Sequence, residues 1–94
     1  MTYDYKPDPV YLHKTLVSAN NVHIGSIIYE DVNEQDERLA PCMRYVCTVT
    51  GIGKIDEAAT LKDAQRLLRL RMNAIFTIFR EIMENENDTT GTSS

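Results

Sequence analysis

Hydrophobic residues recur along this chain with two different periods, and the changes of period divide it into elements. In "DPVYLHKTLVSANN", Leu12, Leu16 and Ala19 stand at i, i+4 and i+7, the spacing of one helix face. Asp8 is placed as an N-cap and Pro9 at the first helical position, both start signals. Asn20 and Asn21 suit a left-handed exit, so a short helix is expected over about 9 to 19. "VHIGSIIYEDV" is rich in β-branched and aromatic residues and predicts a strand, with Gly25 at a possible bulge. The acidic, proline-containing stretch from Asn33 to Pro41 cannot continue it. "MRYVCTVT" alternates, placing Tyr45, Cys47 and Val49 on one face and Val46 and Thr48 on the other. Gly51 and Gly53 supply a turn, and "KIDEAA" makes a short third strand despite its poor strand formers.

The final helix carries the strongest pattern. Thr60 and Asp63 form a capping-box-like start. At about 100° per residue, Lys62, Arg66, Arg69, Asn73, Thr77, Arg80 and Glu84 fall in one narrow polar stripe. Leu61, Ala64, Leu68, Met72, Ile75, Phe79 and Ile82 lie opposite. In the second half, "MNAIFTIFREIM", Phe76 and Met83 widen the apolar face beyond what one small sheet can cover. The excess is expected to meet either the N-terminal helix or a second chain. Phe76, Phe79 and Met83 are the candidate interface residues. Arg71 joins them because it stands about 180° from Lys62, in the middle of the apolar face. A guanidinium there must snorkel to solvent or meet a carboxylate, and a partner's acid is the sharper expectation.

With 94 residues, 43% hydrophobic and 26% charged, the chain fits one small domain. Its expected extent is 8–86, between polar, disordered tails at 1–7 and 87–94. The net charge of −4 argues against a general polyanion binder. The charge is unevenly distributed, however: "YEDVNEQDER" and "ENEND" are acidic, whereas Lys62 to Arg71 is basic. No apolar run approaches the roughly 20 residues of a membrane span, and "MTYDYKPDP" has no signal-peptide pattern. No membrane association is expected. Cys42 and Cys47 sit five positions apart and would point to opposite sheet faces, which disfavours a disulfide between them. Reduced thiols fit a cytoplasmic or nuclear location.

Candidate chemistry is sparse. His13 and His23 fall on different elements without metal-ligating companions, and the acids of the 30–37 loop lack the glycine and terminal glutamate of a calcium loop. "GIGK" is too short for a phosphate loop. No nucleophile and base pattern stands out. The expectation is a non-enzymatic protein without a cofactor or metal.

The expected order of helix, strand, strand, short strand and long helix resembles the double-stranded RNA-binding domain (dsRBD). "APCMRYVCTVTG" resembles the second strand of that family, "SIIYED" its first strand, and "TLKDAQRLL" the start of its last helix, with Ala64 at the small position. The resemblance spans about residues 8 to 80. It implies an α+β fold of α-β-β-β-α order, a three-stranded antiparallel sheet with two helices packed on one face. It also implies possible RNA contacts through His13 on the first helix and through Lys62, Arg66 and Arg69. Where the family places two or three lysines at the helix start, this chain has Leu61, Lys62 and Gln65, and the first inter-strand loop, "VNEQDERLAP", has carboxylates and no histidine. That pattern is more similar to the divergent class found as the third domain of Dicer-partner proteins such as Loquacious. What the resemblance implies is a module for protein interaction in RNA silencing, with itself or with a Dicer-type ribonuclease as partner. The alternatives are a weak double-stranded RNA binder and a small inhibitor protein sharing the fold.

Overall fold

In the computed structural model the chain forms β1 (Tyr3–Pro7), β2 (Lys14–Ala19), β3 (Val22–Asp31), β4 (Met43–Val49), β5 (Gly53–Ala58) and one helix, α1 (Leu61–Ser93). The structure describes residues 1–93, with side chains as far as residue 86. The polar tail expected over 87–94 lies outside the fully described residues. The strands form one sheet in the order β1-β2-β3-β4-β5, every neighbouring pair antiparallel.

This corrects the expected α-β-β-β-α, dsRBD-like fold. The sheet has five strands rather than three, and the first helix of that order is replaced by the β1–β2 hairpin. Residues 3–7, expected to belong to a polar tail, are the edge strand of the sheet. The helix signals at Asp8 and Pro9 have a local cause. The Asp8 carboxylate accepts the amides of Val10 at 2.7 Å and Tyr11 at 3.0 Å, as a cap would, but it closes a turn. These amides, Tyr11 before Val10, hold the Asp8 carboxyl below its usual value. His13 then takes φ 65°, a left-handed step that breaks any helix, and the chain enters β2. Asn20 and Asn21 are left-handed as expected, at φ 49° and 67°. They form the two-residue turn of the β2–β3 hairpin, where positive φ at both positions matches the twist of the flanking strands.

Period-2 alternation places Tyr3, Tyr5, Val17, Ile27, Tyr45, Cys47, Val49 and Ala58 on the face that α1 covers, where they meet Ala64, Leu68 and Met72. The alternation expected for β4 is correct: Tyr45, Cys47 and Val49 join this core, while Val46 does not. The ladder is interrupted twice, opposite Val17/Ser18 and beside Cys47/Thr48. The residues left without a partner are Ile24 and Ile55, and both pack against the core. A bulge puts two successive residues on one side of a strand, and here each bulge adds an isoleucine to the layer beneath α1. The expected capping box is present in part, with the Asp63 amide donating to Thr60 Oγ1 at 3.2 Å.

Cys47 illustrates how closed this core is. It is fully buried, and its thiol donates to the Ala64 carbonyl at 3.3 Å. Burial, reinforced by the Asp56 carboxylate, pushes its pKa up to about 11. At pH 8 the thiolate fraction is therefore on the order of 10⁻³. Cys42 is only half-buried. Alkylation at pH 8 followed by mass spectrometry is expected to label Cys42 alone, with Cys47 reacting only once denaturant unfolds the sheet.

Candidate interaction surface

The helix outruns the sheet. α1 has 33 residues, roughly 50 Å at 1.5 Å per residue, and the molecule measures 60 × 30 × 21 Å. Its buried residues end at Met72, Ile75 and Phe76 are half-buried against the core, and every side chain from Thr77 to Glu86 is exposed. The expected first helix is one of the two covers that the sequence suggests for this segment, the other being a second chain. The residues of that helix form a hairpin instead, and among the described residues Ile78, Phe79, Ile82 and Met83 stay exposed.

The stripe that holds the core continues without a break onto the open segment. Leu61, Leu68, Met72, Ile75, Phe79 and Ile82 follow steps of seven, four, three, four and three, the a/d spacing of a helix that packs along another helix. Phe79 is 60% exposed and Ile82 53%, and Ile78 and Met83 flank them, also exposed. No charged residue lies on this stripe between Ile75 and Met83; Arg80 and Glu81 project from other faces.

The sheet end where α1 leaves it carries two exposed apolar side chains. The Asn73 side chain accepts the Tyr3 hydroxyl at 2.7 Å, and the Asn20 amide donates to the Thr2 carbonyl at 2.8 Å. These bonds place the β2–β3 turn under the point where α1 leaves the sheet. The Thr50 amide donates to the Ile24 carbonyl at 2.9 Å, which sets the β4–β5 turn beside it. Val22, the first residue of β3, and Ile52, in the β4–β5 turn, are 63% and 60% exposed. Neither was singled out in the sequence, because a lone apolar residue beside a turn has no periodic signal.

Arg71 finds its carboxylate within the chain: its Nε lies 3.3 Å from Asp56 Oδ2. The arginine is 62% exposed, so solvent screens the pair strongly. Arg71→Ala is expected to lower the stability by less than about 1 kcal/mol, visible in thermal melts as a shift no larger than that of the exposed Arg66→Ala control. Phe76 touches the core, whereas Phe79 and Met83 belong wholly to the overhang.

The cations considered for RNA are partly gathered. Lys62, Arg66 and Arg69 line one open groove of about 390 Å³ with Tyr5, Gln65 and Asp63. Asp63 lies 3.8 Å from Arg66, and the Tyr5 hydroxyl donates to the Gln65 carbonyl at 3.3 Å. Burial raises the Tyr3 and Tyr5 pKa values, and nearby Arg69 opposes that rise. His13 is not part of this groove. It lies in the β1–β2 turn, 6.1 Å from the Tyr29 ring, in a separate depression with Tyr11, Leu12, Tyr45 and Leu61. Among the described residues no cluster of three or more His, Cys, Asp or Glu side chains could hold a metal ion, and no helix is long and apolar enough to cross a membrane. Compared with protein-family models, curated proteins and solved structures, the chain matches none.

Proposed function

We propose that this protein is a non-enzymatic interaction module that associates with a second copy of itself through the overhang of α1. The observation that carries this reading is the continuous apolar stripe, whose first half builds the core and whose second half, with the same a/d spacing, leaves Phe79 and Ile82 more than half exposed among the described residues. Exposed apolar surface of this extent marks interaction sites in soluble proteins. The lack of charge on the stripe favours a like surface as its partner, since nothing there selects an oppositely charged one. The RNA-silencing setting came only from the resemblance to the dsRBD, whose element order this fold does not share. Analytical ultracentrifugation across a range of concentrations tests it: a mass of twice 10.7 kDa or more at micromolar protein supports self-association, and a monomer throughout defeats it.

A second reading has one supporting observation, the meeting of Lys62, Arg66 and Arg69 at one groove. Three cations with a carboxylate among them would neutralise few phosphates, so double-stranded RNA would be a weak ligand there.

A further inference from the structure

We infer that the outer edge of β1 takes up an extended acidic peptide as an added antiparallel strand, with carboxylates at alternate positions directed at Lys62, Arg66 and Arg69. This goes beyond the self-association proposed above and does not depend on it. β1 is an end strand of the sheet and pairs on one side only, with β2. The bonds at its two ends give the phase of that ladder: the Asn20 amide donates to the Thr2 carbonyl at 2.8 Å, and the Asp8 amide to the Lys14 carbonyl at 2.9 Å. Hydrogen-bonded pairs in an antiparallel ladder recur at every second residue, so Asp4 and Lys6 also turn their backbone groups toward β2, at Ser18 and Leu16. The amides and carbonyls of Tyr3 and Tyr5 and the carbonyl of Pro7 therefore point outward, a short open ladder of the kind that accepts another strand. Pro7 has no amide to offer, and the ladder ends there.

Residues of the added strand that stand opposite Tyr3, Tyr5 and Pro7 project to the face on which the two tyrosines lie, and that face is the one α1 covers. The Tyr5 hydroxyl reaches the Gln65 carbonyl at 3.3 Å and the Tyr3 hydroxyl reaches Asn73 at 2.7 Å, which sets this stretch of α1 beside β1. Its exposed Lys62, Arg66 and Arg69, at i, i+4 and i+7, line the open groove that Tyr5 shares. Arg66 has Asp63 3.8 Å away, whereas among the described residues neither Lys62 nor Arg69 forms an ion pair. Alternate residues of a strand stand about 6.7 Å apart and the three cations about 6 and 4.5 Å apart along the helix, a mismatch their long side chains absorb. Strand addition draws affinity from main-chain bonds and specificity from the alternate side chains. Here those side chains meet cations, which selects Asp or Glu at every second position. A phosphate backbone would use the cations and leave the edge amides and carbonyls unused.

Fluorescence anisotropy with a short labelled peptide alternating glutamate with threonine and valine tests this. Saturable binding at low salt is expected, weakened by about tenfold or more in Lys62→Glu and in Arg69→Glu. Arg80→Glu, an equal change of charge on the overhang, should leave the affinity unchanged. A second peptide, N-methylated at its glutamates, keeps every charge but loses the amides that would donate to Tyr3, Tyr5 and Pro7, and should bind at least about tenfold more weakly. Equal binding of the methylated peptide, or an equal loss in Arg80→Glu, would mean that charge alone is recognised and would overturn strand addition. Absence of saturable binding would overturn the site. An RNA duplex of about 20 base pairs that binds more tightly than the peptide and displaces it would overturn the peptide as ligand and make the groove a phosphate site.

Discussion

Phe79→Glu is expected to convert the assembled protein to a monomer while leaving its fold and melting temperature nearly unchanged. The side chain is 60% exposed in the single chain, so a carboxylate there remains hydrated when the molecule is alone. In the assembly it would enter an apolar seam, once from each chain, without a hydrogen-bonding partner. The desolvation cost is on the order of 2 kcal/mol or more per group, and each 1.4 kcal/mol is tenfold in affinity. The dissociation constant should therefore rise by at least about 100-fold, which sedimentation velocity at fixed concentration would show. Phe76→Glu is a poorer probe because Phe76 packs against the core as well, so it would disturb fold and association together. Should Phe79→Glu leave the mass unchanged, the overhang is not where the chains meet.

Gly25→Ala is expected to be the most damaging small substitution in the sheet. A Cβ at Gly25 would overlap the Thr48 carbonyl oxygen and crowd Val49 Cα at 3.1 Å. Both belong to β4, which is locked between two neighbours, so relief requires moving backbone. Overpacking typically costs about 1–3 kcal/mol, and because backbone rather than a side chain must move here the loss is expected at about 3 kcal/mol, a large part of the margin of about 5–15 kcal/mol typical of a small domain. Gly53→Ala is the control: its φ of 102° makes alanine strained, yet nothing lies within 4 Å of the new carbon, and a loss of only about 1 kcal/mol is expected. Urea denaturation of the two variants should separate them clearly. Equal losses would mean that the β3–β4 pairing yields at Gly25 and that the bulge at Ile24 absorbs the strain.

The elements that could be read from the sequence are those whose signals are local. The β4 alternation, the glycines of the β4–β5 turn, the short strand in "KIDEAA" and the start of α1 at Thr60 all depend on residues within a few positions of one another. The widening of the apolar face at Phe76, Phe79 and Met83 was legible for the same reason, since helical spacing alone displays it.

What the tertiary structure decided was the fate of the first twenty residues. Asp8 binds the amides that an N-cap would bind, and Asn20 and Asn21 are left-handed as a helix exit would be, yet both signals serve turns equally well. The choice fell to pairing: Tyr3 and Tyr5, too few to announce a strand by themselves, lie opposite Ala19 and Val17 and share their buried face. A strand pair is stabilised by residues distant in sequence, and no window along the chain contains both sides of it. That choice also determined the surface. A helix at residues 9–19 could have covered the second half of α1, whereas a hairpin at the sheet edge leaves Phe79 and Ile82 in solvent. Val22 and Ile52, unremarkable in the sequence, come to one end of the sheet, where α1 leaves it, only because the antiparallel order of the strands brings the β2–β3 and β4–β5 turns together there.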